Sequence, residues 1–216
     1  PEAGEEERKT LRDLIVAFSH DAQLQRWMAE RLRSKRVDDN EKWMIIDAMR
    51  QSEMKEFPGI WLSRLDDLLE SGSAETQERV LTLIESRRIS GLDEKLGQIF
   101  ADTKMSPSFR LKALNARMIS TPKLSKSEFN TLVTFLDSTQ VSTLRQSAVR
   151  ILGQAELNEQ QQLTIARDFI SNADPFLLSG LVSAFEGSKS NEAGEALVAA
   201  LSASPDHLEM LYLQAL

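Results

Sequence analysis

Ser106-Pro107-Ser108-Phe109-Arg110-Leu111-Lys112-Ala113-Leu114 returns, after a second apolar segment, as Ser142-Thr143-Leu144-Arg145-Gln146-Ser147-Ala148-Val149. Arg110 aligns with Arg145, Ala113 with Ala148 and Leu114 with Val149, each at an offset of 35 residues. Self-similarity at a period between about 20 and 50 residues marks a repeat array. Working outward, the same apolar doublet with a further apolar residue one turn on reads Leu14-Ile15 with Phe18, Ile45-Ile46 with Met49, and Val80-Leu81 with Ile84. It continues as Ala113-Leu114 with Met118, Ala148-Val149 with Leu152, and Leu181-Val182 with Phe185. Successive doublets are 31, 35, 33, 35 and 33 residues apart. The spacing within each is helical.

Between the doublets lie second apolar pairs: Trp27-Met28, Leu68-Leu69, Ile99-Phe100, Phe135-Leu136, Phe169-Ile170 and Ala200-Leu201. Six helix pairs are therefore predicted, with the start of a seventh at Leu211-Tyr212-Leu213, a segment expected to drive weak self-association. The punctuation fits. Ser106-Pro107 and Asp174-Pro175 place a capping side chain before a proline at the first helical position. Ser125 with Glu128, Asn158 with Gln161, and Asp38 with Glu41 have capping-box spacing. Gly72, Gly153 and Gly187 fall where a left-handed residue would end a helix. No stretch alternates with period two between turn residues, so no strand is predicted. A helix pair with apolar stripes on both members hides them only by stacking on its neighbours. The expectation is all-α: a right-handed α-α superhelix, a HEAT- or armadillo-like solenoid over residues 8–216 behind a frayed acidic stretch at residues 1–7. The drifting period argues against the tetratricopeptide array, which holds near 34 residues and wants a Leu-Gly pair and a tyrosine.

The totals bound the chemistry. With no cysteine among 216 residues, disulfides, thiolate metal sites and thiol nucleophiles are excluded within them. No apolar run approaches the roughly 18–20 residues of a membrane span. Residues 1–150 balance 24 acids against 24 bases, and residues 151–216 set nine acids against Arg167 and Lys189. The formal charge of −7 thus sits in the last third, a distribution that repels nucleic acid and anionic membrane. The chain is expected to be a segment of a longer protein.

Candidate sites are few. Arg31, Arg33, Lys35 and Arg36 form the densest basic cluster, flanked by Glu30, Asp38 and Asp39. With no aromatic interleaved, this reads as a helix C-terminus, and Arg87-Arg88 reads the same way. His20 and His207 stand alone, without metal-ligand spacing. Trp27, Trp43 and Trp61 read as core, Trp61 most clearly, because it shares a face with Leu65 and Leu68. No nucleophile elbow or phosphate loop is present, and Glu192 with Glu195, or Asp66 with Asp67, are pairs that any solvated helix face produces. No catalytic, cofactor or metal residue is assigned. In superhelices of this type the second helices line the concave side, so polar residues there, namely Gln98, Asp102, Asn130, Thr131, Thr134 and Arg167, are the candidate partner-binding set.

From Asp38 to about Pro205 the chain also resembles a family. Trp43, Ala48-Met49, Glu53, Lys55-Glu56-Phe57-Pro58 and Trp61 resemble the helical segment of large planctomycete-type haem-binding proteins, often labelled membrane-bound dehydrogenases. Arg110-Leu111, Leu152-Gly153, Ala184-Phe185-Glu186 and Leu197-Val198 extend the likeness. In that family a dehydrogenase-like β-propeller precedes the helices and a cytochrome c-like domain with a C-x-x-C-H haem motif follows them. The resemblance implies an exported, periplasmic parent redox protein carrying haem c, in which this segment, itself without cofactor, is a non-enzymatic scaffold contacting protein domains. A free-standing adaptor that binds a peptide or protein on its concave face is the alternative. A lyase or glycosylase built on such repeats would need a basic groove, which the acidic last third opposes.

Overall fold

Each apolar doublet lies on one α-helix, and each second apolar pair lies on the next or on its short continuation. The computed structural model describes residues 4–171 and 173–203. It is all-α, with no strand among the described residues. In chain order the helices are α1 Glu5–Ala17, α2 Ala22–Arg33, α3 Asp39–Gln51, α4 Gly59–Ser71, α5 Ala74–Arg87 and α6 Asp93–Ala101. There follow α7 Pro107–Met118, α8 Lys126–Val133, α9 Ser142–Gln154, α10 Glu159–Ile165, α11 Pro175–Ser183 and α12 Asn191–Ser202. A 3-10 turn, Thr134–Leu136, continues α8, and a π turn, Ala166–Ile170, continues α10. Helix α1 begins at Glu5, ahead of the residue where its apolar spacing starts. His207, Leu211, Tyr212 and Leu213 lie outside the described residues.

The caps explain the boundaries. Ser106 accepts from the Phe109 N–H and Asp174 from the Phe176 N–H, each before a proline in the first turn. Ser125 with Glu128, and Asn158 with Gln161, form complete capping boxes. Asp38 forms only half of one. It accepts from the Glu41 N–H at 2.8 Å, but the Glu41 carboxylate takes Arg31 Nε and Nη2, each at 2.5 Å. Of the three glycines expected to end helices in a left-handed turn, only Gly187 is left-handed, with φ 75°, and it stands in the turn that follows α11 rather than at its cap. Gly72 is extended, with φ −71°, and Gly153 lies inside α9. The left-handed cap of α5 is Arg88, with φ 51°.

The chain forms two compact units, Pro1–Ile99 and Phe100–Leu216. In the first, α1 packs on α3 and α3 on α5, while α2 packs on α4. In the second, α7 packs on α9 and α9 on α11, while α10 and its π turn pack on α12. Within a unit, then, first helices stack on first helices and second on second. The doublets Ile45-Ile46, Val80-Leu81, Ala113-Leu114 and Ala148-Val149 are buried, as are Met49, Ile84, Met118 and Leu152. Trp61 is fully enclosed, its indole N–H donating to the Gln25 carbonyl at 3.1 Å. Buried amides join successive pairs in the second unit. Gln161 Nε2 donates to the Leu124 carbonyl, and Gln162 Nε2 to that of Ala184.

Two expectations fail in the first pair. Leu14 and Phe18 are exposed although their periodicity matches the buried doublets, and Trp27 is exposed rather than core. Periodicity establishes that a helix has an apolar stripe; it does not supply a neighbour to cover the stripe.

Candidate functional site

Asn40, Trp43, Met44 and Asp47 recur at helical spacing on α3 and so share one face. That face, with Glu6, Lys9 and Arg12 of α1 and Arg79 of α5, lines a groove of about 590 Å³. Its centre is Trp43. The Arg79 guanidinium carbon stands 4.5 Å from the centroid of the indole, a cation–π contact. Arg79 Nη2 also donates to Glu75 at 2.9 Å, and Asp47 lies 3.8 Å from its Nη1 and 3.6 Å from Arg50. The tryptophan is fixed from its other edge. Its indole N–H donates to Thr76 Oγ1 at 3.0 Å, that hydroxyl contacts Ser73 Oγ at 2.9 Å, and Ser73 donates to Asp39 at 2.7 Å. Because Thr76 is fully buried and each partner is satisfied, the indole is held rigidly with one face toward the groove. A half-buried aromatic among both signs of charge suits recognition of a mixed-charge polypeptide segment.

Sequence reading put Trp43 in the core and did not single out Arg79. A signal was present: Trp43 shares its face with Asn40 and Asp47, a polar stripe, and not with the doublet Ile45-Ile46.

The six residues chosen from the sequence are dispersed among local contacts. Gln98, exposed on α6, donates to Glu94 at 3.3 Å and borders a shallow groove beside Lys95 and Asp66. Asp102, half-buried after α6, accepts the Lys104 N–H at 2.9 Å. Asn130 is exposed on α8, and Thr134 Oγ1 donates to the Thr131 carbonyl at 2.7 Å. Arg167, exposed in the π turn, donates to Glu192 at 3.3 Å. The basic clusters are helix ends. Arg31 and Arg33 occupy the last turn of α2, and Arg87 the last turn of α5. Among the described residues no group of three or more histidine or carboxylate side chains could hold a metal ion. No helix among them is long and apolar enough to cross a membrane.

No protein-family model, curated protein or solved structure matches the chain.

Proposed function

We propose that the chain is a HEAT-like helical-repeat solenoid with a non-enzymatic role, holding and contacting other protein domains. The observation that carries this reading is the like-on-like packing within each unit, first helices on first and second on second, around doublets that recur every 31–35 residues. An array of this kind is stiff along its axis and offers long lateral surfaces, which suits a spacer or docking element. Together with the resemblance described above, this points to the segment between a β-propeller and a cytochrome c-like domain of an exported redox protein. There it would set the distance and angle between a redox site and its electron acceptor, the haem c belonging to the neighbouring domain.

The coding sequence on either side of these residues tests the role. A propeller upstream and C-x-x-C-H downstream would support it, whereas stop codons close to both ends would rule it out. Small-angle scattering tests the architecture independently. A compact chain of this length has a radius of gyration of roughly 17 Å, and a solenoid exceeds it clearly.

One observation favours a second reading, a free-standing adaptor. The Trp43 groove is a built surface with a fixed aromatic, and it lies on the first helices α1, α3 and α5, not on the second helices where the sequence placed the contact set. Photo-cross-linking from Asn40 or Met44 would identify a bound segment. Cross-links confined to Gln98, Asn130 or Arg167 would assign the contact to the second helices.

A further inference from the structure

Each unit has a trough between successive first helices at the same register of the repeat, and the two differ in what fills them. Counted from the doublets Ile45-Ile46 and Ala148-Val149, Trp43 and Asp47 of α3 correspond to Gln146 and Arg150 of α9. Counted from Val80-Leu81 and Leu181-Val182, Glu75 and Arg79 of α5 correspond to Phe176 and Gly180 of α11. In the first unit Arg79 covers Trp43 with its own guanidinium. In the second, Gly180 has no side chain, and Ser179 and Ser183 beside it are small. A groove of about 350 Å³ is left open between α9 and α11. One wall is the row Gln146, Arg150 and Gln154, spaced every four residues and exposed; among the described residues none of the three makes a side-chain hydrogen bond or ion pair. No carboxylate lines the groove. Asp174, which caps α11, is already held by the Phe176 N–H at 3.0 Å and by Arg145 at 3.6 Å. The Arg150 guanidinium is therefore a cation without a counterion. At one end stands Phe176, 84% exposed, the most exposed large apolar side chain among the described residues. An open aromatic and a free arginine beside one groove are the residue types that recognition surfaces favour.

We infer that this groove holds an extended segment of a partner protein, in which a carboxylate side chain pairs with Arg150 and a large apolar side chain two residues away packs on Phe176. The spacing carries the argument. Successive rungs Gln146, Arg150 and Gln154 are about 6 Å apart along α9, and an extended chain advances about 6.6 Å for every two residues. Alternate peptide groups of such a chain therefore meet successive rungs, and a glutamine amide both donates and accepts, as a peptide group does. On the opposite wall glycine and serine let a main chain come close. Helices α9 and α11 run parallel here, Gly180 facing Val149 and Ser183 facing Gly153. Phe176, four residues before Gly180, thus stands about 6 Å before the level of Arg150, the distance between two side chains on one face of a strand. A nucleic-acid strand would need several cations in line for its phosphates, and Arg150 is the only charged residue lining the groove. The inference rests on the protein-contacting role and on neither the redox parent nor the Trp43 groove.

A randomised heptapeptide library, panned on the immobilised 216-residue chain with the Arg150→Glu chain as counter-selection, tests it. Enriched peptides are expected to carry an aspartate or glutamate two positions from a large apolar residue. One of them, synthesised and titrated into the isotope-labelled chain, is expected to shift the side-chain amide resonances of Gln146 and Gln154. Arg150→Glu and Phe176→Ser are each expected to weaken it by about tenfold or more, as loss of an anchor does. Both side chains are exposed, so circular dichroism and the unfolding midpoint of the two variants should match the unmodified chain. Arg150→Glu is expected to regain binding when lysine replaces the acidic residue of the peptide, a rescue that a merely structural role for Arg150 would not produce. Equal enrichment on both chains, no enrichment at all, or a lysine peptide that fails to rescue each overturns the inference. Shifts that fall instead on Asn40 and Trp43 would overturn this site and leave the protein-contacting role standing. A single-stranded oligouridylate that shifts the Gln146 and Gln154 amides, where the peptide does not, would overturn both, so the two failures are separable.

Discussion

Val149 on α9 lies directly against the bare Cα of Gly180 on α11, so a Cβ at position 180 would overlap the valine Cγ1 methyl. The reciprocal contact is as close. A Cβ at Gly153 would meet Ser183 Oγ and stand 3.0 Å from the Gly180 carbonyl oxygen. The two helices therefore approach nearly backbone to backbone, and Val149, buried and stiff at χ1, has little room to yield. Gly180→Ala is expected to destabilise the chain. Overpacking costs roughly 1–3 kcal/mol, against a helix-propensity gain of about 1 kcal/mol. Gly194→Ala is the control: it lies inside α12 with nothing within 4 Å of the added carbon. It should gain about 0.5–1 kcal/mol. Urea unfolding of both, and of Val149→Ala with Gly180→Ala, measures the coupling; equal destabilisation with and without Val149 would refute the close approach.

Arg79 covers the indole of Trp43, and its removal should be felt twice. Arg79→Met keeps the aliphatic stem and loses the cation. The expected loss is about 0.5–1 kcal/mol, the worth of a partly exposed cation–π pair. Its ion pairs with Glu75 and Asp47 are solvent-facing and add little. Because salt screens the ion pairs more than the ring contact, most of the loss should persist at high salt, and Trp43 emission should shift with it. A difference that vanishes in salt would assign the effect to Asp47 and Glu75 instead.

What the sequence disclosed here follows from the range of the interaction. Doublets and caps are written within a turn or two, and they recur in the structure nearly residue for residue from Ile45 to Leu181. Arg79 over Trp43 and Val149 against Gly180 depend on how two helices are set side by side, which no local spacing records. Gly153 shows the ambiguity: a glycine near a predicted helix end can terminate the helix or thin it for a neighbour, and here it does the second. Leu14 and Phe18 show another, since an apolar stripe reads the same whether or not something covers it.

Arg87 reaches back from the end of α5 to the end of α3, where it donates to the carbonyls of Arg50 at 3.0 Å, Ser52, and Met54 at 2.5 Å. Its guanidinium also stands 5.7 Å from the Phe57 ring centroid. Carbonyls at a helix end and just past it lack intrahelical donors, so one fork satisfies three of them together, one in α3, one at its cap and one beyond it. Arg87→Met should cost about 2–3 kcal/mol in chemical denaturation, since acceptors in a half-buried site lose a charged donor. Arg87→Lys should recover only a part, because an ammonium cannot span three carbonyls as a planar fork does. Full recovery by lysine would mean that charge near the α3 terminus, not geometry, matters.

Lys95 Nζ lies 2.8 Å from Glu70 Oε2, and this pairing sets the pH response of the first unit at that point. The hydrogen bond from Lys95, with its positive charge, holds the Glu70 carboxyl below the ordinary glutamate range. The same bond raises the Lys95 ammonium, helped by the nearby carboxylates of Asp66 and Asp67. A depressed carboxyl stabilises the fold above its unfolded-state value, and the contribution disappears as pH falls through the folded value. A raised ammonium does the reverse: its contribution is complete below the ordinary lysine range and is lost as pH climbs through the raised value. The window in which both contribute therefore runs from ordinary glutamate to ordinary lysine titration. Glu70 faces solvent, so the effect on melting will be small, and a carboxyl-carbon NMR titration is the better readout. Glu70 should titrate below the ordinary glutamate range, and Lys95→Met should return it to that range. High salt should move it partway there. A Glu70 that titrates in the ordinary glutamate range in the unmodified chain would show that the pair is not held in solution.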